Sequence, residues 1–155
     1  MTYAQTVRDA VVAEVTRTGF GAHGLHVCIG DDVAEHRWTP DVREDVQSIA
    51  KGVCVIDEGI AADDGLVDLD EPLSMLLSGW TFGDGAGDVT LRQLLGMTSG
   101  IDLPWTPTLL TDWPDLAVEF LGRPSRGRVF QYANASTHTA MRVLASRVGE
   151  VGRFV

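Results

Sequence analysis

Positive charge is scarce in this sequence and lysine is nearly absent: of 155 residues, 12 are Lys or Arg against 22 Asp or Glu, and Lys51 is the single lysine. The resulting net charge of −10 repels a phosphate backbone and an anionic lipid surface, which argues against nucleic acid and membrane as partners. No run approaches the roughly 18 apolar residues of a membrane-spanning helix. Residues 1–13 also lack the basic-then-apolar order of a signal peptide, so a cytoplasmic chain is expected. Only two cysteines occur, Cys28 and Cys54, both among apolar neighbours; without a secretory signal they read as buried thiols, not as a disulfide. The four histidines show no paired metal spacing, and no metal is expected. The carboxylates of residues 57–71 lack the aspartate spacing and central glycine of a calcium loop, and most are expected to be solvated.

What is present is enough for a core, since 45% of the residues are hydrophobic in a chain of ordinary domain length. Val7, Val11 and Val15 recur every fourth position and predict an N-terminal helix over residues 4–18 that Gly19 ends. Leu25, Val27 and Ile29 alternate with His26 and Cys28, Gly30, Asp31 and Asp32 mark a turn, and residues 33–38 return as the second strand of a hairpin. Helices follow over residues 48–62, in a short segment after the capping box that begins at Thr90, over residues 114–121 and over residues 135–148. Gly19 to Gly24 spells a dinucleotide fingerprint but precedes a strand and opens no helix, so it reads as a turn. Residues 83–87 have the glycine content of a phosphate loop without its Gly-Lys-Ser/Thr ending, and read as a flexible surface loop. The pattern is α/β (α+β), with too few strands for a complete sheet.

The rarest residue types converge on two short motifs. Lys51 stands three places after Ser48 in Ser-Ile-Ala-Lys, while eleven arginines fill every other basic position. With seven serines this alone would arise by chance about one time in twenty. The single asparagine, Asn134, stands two places after Tyr132, one of only two tyrosines, a placement with odds of about one in a hundred. Residues three apart on a helix share a face, so the Lys51 amine can reach the Ser48 hydroxyl. A lysine can accept a proton once its surroundings depress its pKa, whereas arginine stays protonated and cannot. Ser48 also opens its helix, where backbone N–H groups are free to stabilise an oxyanion.

These segments resemble the Ser-x-x-Lys and Tyr-x-Asn motifs of the class C β-lactamase and penicillin-binding protein family of serine hydrolases. Their separation of 84 residues is similar to that in the family, as are the intervening Asp64-Gly65-Leu66-Val67-Asp68-Leu69-Asp70-Glu71-Pro72 and Leu94-Leu95-Gly96-Met97-Thr98-Ser99-Gly100. The resemblance covers about residues 25–149 and implies a β-lactamase-like fold whose sheet begins in residues 1–40 and whose helical region occupies residues 48–150. It implies that Ser48 is acylated, that Lys51 shares in taking its proton, that Tyr132 relays protons to the leaving group and that Asn134 binds the substrate amide or carbonyl. The substrate would be a small ester or amide, with no cofactor. The family's third motif, Lys-Thr-Gly or His-x-Gly on a downstream strand, has no counterpart in the 21 residues after Asn134. The resemblance therefore implies a truncated domain without its C-terminal strands and closing helix, with self-association or a separately supplied C-terminal half as the expected partner. The rival expectation is an inactive remnant or acyl-group binding module.

Overall fold

A computed structural model describes residues 1–103 and 113–154, arranged as two compact units, Met1–Asp45 and Val46–Val155.

In the first unit, α1 (Tyr3–Thr18) starts from a capping box between Thr2 and Gln5 and ends on Gly19 in the left-handed region at φ 66°. It is followed by β1 (Gly24–Ile29) and β2 (Asp32–Arg37), an antiparallel pair in which Ile29 faces Asp32. The turn is thus Gly30-Asp31, and Gly30 takes the positive φ of 59° that such a two-residue connection demands. Helix and hairpin are joined where the Ala4 N–H donates to the Asp32 carboxylate at 2.8 Å. That contact sets which side of α1 is covered: Ala4, Arg8, Val12 and Val15 follow it at helical spacing, so of the expected stripe Val15 is half-buried while Val7 and Val11 are exposed. Cys28, expected in the core, is exposed because strand alternation places it with His26 on the outer face, opposite half-buried Leu25 and Val27.

The second unit begins with a 3-10 turn, Gln47–Ile49, that runs into α2 (Ala50–Asp63). It continues through α3 (Leu73–Leu76), α4 (Leu91–Leu95), α5 (Leu116–Leu121) and α6 (Asn134–Val148). α6 packs against α2, α4 and α5, and its Val143 and Leu144 join Leu91, Leu94, Ile101 and Phe120 in the core. The predicted capping box at Thr90 is present, with the Gln93 side chain returning to the Thr90 N–H at 2.9 Å. α5 starts two residues later than expected from Pro114, because the Asp115 carboxylate caps it by accepting from the N–H groups of Ala117 and Val118. The expected surface loop at residues 83–87 is packed: the Gly83 N–H donates to Leu121 O at 2.8 Å, and a Cβ there would lie 2.5 Å from the Arg123 backbone. Among the described residues no helix is long and apolar enough to cross a membrane.

α2 departs most from expectation. Cys54 is half-buried, and Asp57 and Glu58, expected in water, share the buried face with Ala61. Spacings of three, four and seven put these residues on one side of the helix, and the fold turns that side inward. Glu58 is fully buried, neither of its carboxylate oxygens has a partner among the described residues, and its pKa is pushed up to about 7, first by desolvation and then by the charge of Asp57. The folded chain therefore keeps this proton up to about pH 7, while the unfolded chain releases it near the ordinary 4.5. Between those values the folded state binds more protons, so Glu58 makes stability fall as pH rises. Over that window the wild type is expected to lose about 3 kcal/mol relative to Glu58→Gln, measured by chemical denaturation at one fixed protein concentration. Parallel profiles for the two proteins would contradict the burial of an unpaired carboxyl.

Candidate active site

Ser48, Lys51 and Tyr132 meet within the second unit. Gln47 precedes the serine with φ 49°, a left-handed conformation that costs a non-glycine residue roughly 1–2 kcal/mol. Ser48 lies in the opening 3-10 turn, not in the α-helix proper as expected, and Lys51 lies in the first turn of α2. Backbone N–H groups at this end of a helix have no acceptor within the helix, which makes the Ser48 amide a natural donor to developing negative charge. The Lys51 ammonium donates to Ser48 Oγ at 3.1 Å, and the Tyr132 hydroxyl donates to the same oxygen at 2.6 Å. Lys51 Nζ also stands 5.3 Å from the Tyr132 ring centroid, so the three groups form one cluster. The Tyr132 phenol is held below its ordinary pKa, first by the hydrogen bond with Ser48 and then by Lys51. An oxygen bonded to a cation and to an acidified phenol has two routes for moving a proton.

Tyr132 reaches Ser48 from a segment with little regular structure. Residues 125–131 cross residues 97–102 through the Ser125 hydroxyl to Ser99 O at 2.7 Å, Arg126 N–H to Gly100 O at 3.0 Å, Gly100 N–H to Val129 O at 3.2 Å and Gln131 N–H to Met97 O at 2.8 Å. At the crossing Gly100 has φ 65°, and a Cβ there would stand 1.9 Å from Gly127 O, so only glycine fits. Beyond Tyr132 the chain enters α6 through the buried Ala133. Asn134 is the first residue of that helix and is half-buried; its side chain makes no hydrogen bond among the described residues. The structure thus brings three of the four sequence-derived site residues into direct contact and places Asn134 two residues from the third.

Among the described residues no cluster of three or more His, Cys, Asp or Glu is arranged to hold a metal.

The arrangement gathers around one hydroxyl a serine at a helix start, a lysine one turn on and a tyrosine from the segment that leads into α6. The β-lactamase family profile matches residues 7–153, and the chain belongs to the β-lactamase family. A β-lactamase-like protein from Bacteroides dorei superposes with a TM-score of 0.75 at 27% identity, covering 96% of this chain and 48% of that one. A class C β-lactamase from Rhodobacter sphaeroides gives 0.70 at 23% identity, covering 96% and 46%. A class C β-lactamase solved in complex with cefoxitin gives 0.62 at 18% identity, covering 94% and 44%. The fold is therefore β-lactamase-like, and the chain spans about half the length of the solved structures it matches. No curated protein is significantly similar in sequence.

Proposed function

We propose that this chain carries the acyl-acceptor site of a β-lactamase-family serine hydrolase, with Ser48 as nucleophile. The observation that carries the reading is the Ser48 oxygen held by both Lys51 Nζ and Tyr132 OH. In the forward step one of the two, Lys51 as neutral amine or Tyr132 as phenolate, takes the Ser48 proton while Ser48 Oγ attacks the carbonyl carbon of an ester or amide. The Ser48 N–H supports the oxyanion, and collapse of the tetrahedral intermediate breaks the bond to the leaving group, which takes up the proton through Tyr132. Water then repeats the sequence on the acyl-serine and releases the acid. Asn134, whose side-chain amide at the start of α6 makes no hydrogen bond among the described residues, is proposed to bind the amide or carbonyl of the substrate. β-Lactams, D-amino-acid peptides and small esters all present such a carbonyl, and the cefoxitin bound to one structural relative supports including the first.

A second reading, an inactive acyl-binding remnant, is favoured by one observation: Lys51 Nζ and Tyr132 OH both donate to Ser48 Oγ, so neither holds a lone pair toward its proton. The two readings part at the covalent step. Incubation with benzylpenicillin is expected to raise the intact mass of the wild-type chain by one penicilloyl group and to leave Ser48→Ala unchanged. Equal masses after treatment of both proteins would favour the remnant.

A further inference from the structure

Tyr132 can serve Ser48 only if its phenol stays against Oγ, yet it sits between an irregular arc, residues 125–131, and the start of α6. One side chain spans that arc. Asp102 Oδ2 accepts from the Arg126 guanidinium at 2.6 Å, and its Oδ1 accepts from Gln131 Nε2 at 3.2 Å. The two donors stand at opposite ends of the arc, and the second belongs to the residue next to Tyr132. Asp102 is itself anchored, since its backbone oxygen accepts from Arg123 Nη1 at 3.1 Å. Gln131 is held a second time by the carbonyl of Met97, a residue with φ 55°. Backbone strain and a carboxylate bracket therefore converge on the one residue that leads into Tyr132.

We propose that Asp102 is a positioning residue for Tyr132: its carboxylate accepts from Arg126 and Gln131 at once, closes the arc and fixes the phenol against Ser48. The role demands two polar contacts at once. An asparagine could keep Arg126 on its oxygen and meet a turned-over Gln131 amide with its NH2, so the variant that removes the bracket is Asp102→Ala, which has no acceptor for either partner. Without the bracket the arc opens. An opening at the Gln131 end moves Tyr132 away from Ser48, and a displacement on the order of 1 Å at such a site costs up to about a hundred-fold in rate. Of the ion pairs on this unit, Asp70–Arg92 offers a control, because Asp70 binds Arg92 through both oxygens at 2.7 Å and, among the described residues, is hydrogen-bonded to no residue of the arc.

The inference rests on the acyl-transfer reading for its consequence but not for its test, which follows the phenol directly. The chain has two tyrosines, and the other, Tyr3, is exposed in the first unit. A Tyr3→Phe background therefore leaves Tyr132 as the only phenol in an ultraviolet absorbance titration. In that background Tyr132 is expected to titrate below the ordinary tyrosine range, Asp102→Ala to move its midpoint upward, and Asp70→Ala to leave it in place. Gln131→Met removes the same contact while keeping the Asp102–Arg126 pair, and is expected to shift the midpoint in the same direction. It serves as the decisive variant if Asp102→Ala does not fold. An unchanged midpoint in folded Asp102→Ala or Gln131→Met would overturn the proposal. A shift in both, in a protein whose Ser48 takes no acyl group, would uphold the positioning role and remove the acyl-transfer reading alone.

Discussion

Replacing Lys51 by arginine is expected to abolish acylation of Ser48, although the charge is kept. Lys51 Nζ reaches Ser48 Oγ at 3.1 Å across one helical turn, a distance set by a flexible amine at the end of a straight chain. A guanidinium is planar and wider, and it holds its proton at any working pH, so it can offer Ser48 a hydrogen bond but cannot receive its proton. Positioned proton transfer typically contributes a hundred-fold to ten-thousand-fold, and a loss of about that size is expected in the rate of Ser48 labelling by a fluorophosphonate. Because Lys51 is only half-buried at the start of α2, the variant should unfold at nearly the wild-type temperature, which separates chemistry from folding. Labelling at the wild-type rate would reduce Lys51 to a structural cation.

The second large effect concerns the outer face of α2. Ile49, Val53, Ile56 and Ile60 follow one another at spacings of four, three and four, and are exposed by 75%, 52%, 62% and 45%. Gly52 and Gly59 flank the row, and nothing lies within 4 Å of a Cβ built on either. Two glycines inside one helix weaken it by roughly 1 kcal/mol each, and a contiguous apolar row of this kind on a water-facing helix marks a surface that another chain covers. Covering what is exposed is worth about 1 kcal/mol per side chain. The 155-residue chain on its own is therefore expected to self-associate and to bind a hydrophobic dye. Ile56→Asp combined with Ile60→Asp should reduce both association and dye binding, as read by sedimentation velocity and fluorescence. A monodisperse wild-type monomer that binds no dye would contradict this.

Those four apolar residues also show where the sequence could be read and where it could not. Val53, Ile56 and Ile60 identify α2 as a helix through their period, but period does not say which face is buried. The apolar face is exposed, and Asp57 and Glu58 are inside. The same limit appears in α1, where the valine repeat locates the helix while the hydrogen bond between Ala4 and Asp32 decides its covered side. Caps and turns were more legible, since Thr90, Gly19 and Gly30 act through local chemistry that needs no distant partner. At the site, the rarity of lysine, asparagine and tyrosine together with the family resemblance pointed to Ser48, Lys51, Tyr132 and Asn134, and the structure brings the first three together. The support beneath Tyr132 was not legible: Asp102 lies 29 residues from Gln131, and nothing local to Asp102, Gly100 or Gly127 announces that these segments cross.

The central claim is that Ser48 has an activated hydroxyl, and peptide mapping by mass spectrometry after fluorophosphonate treatment tests it most directly. The adduct is expected on the peptide containing Ser48, at that residue, and is expected to be absent from Lys51→Arg. An adduct on another of the seven serines, or none on a folded chain, would contradict the account.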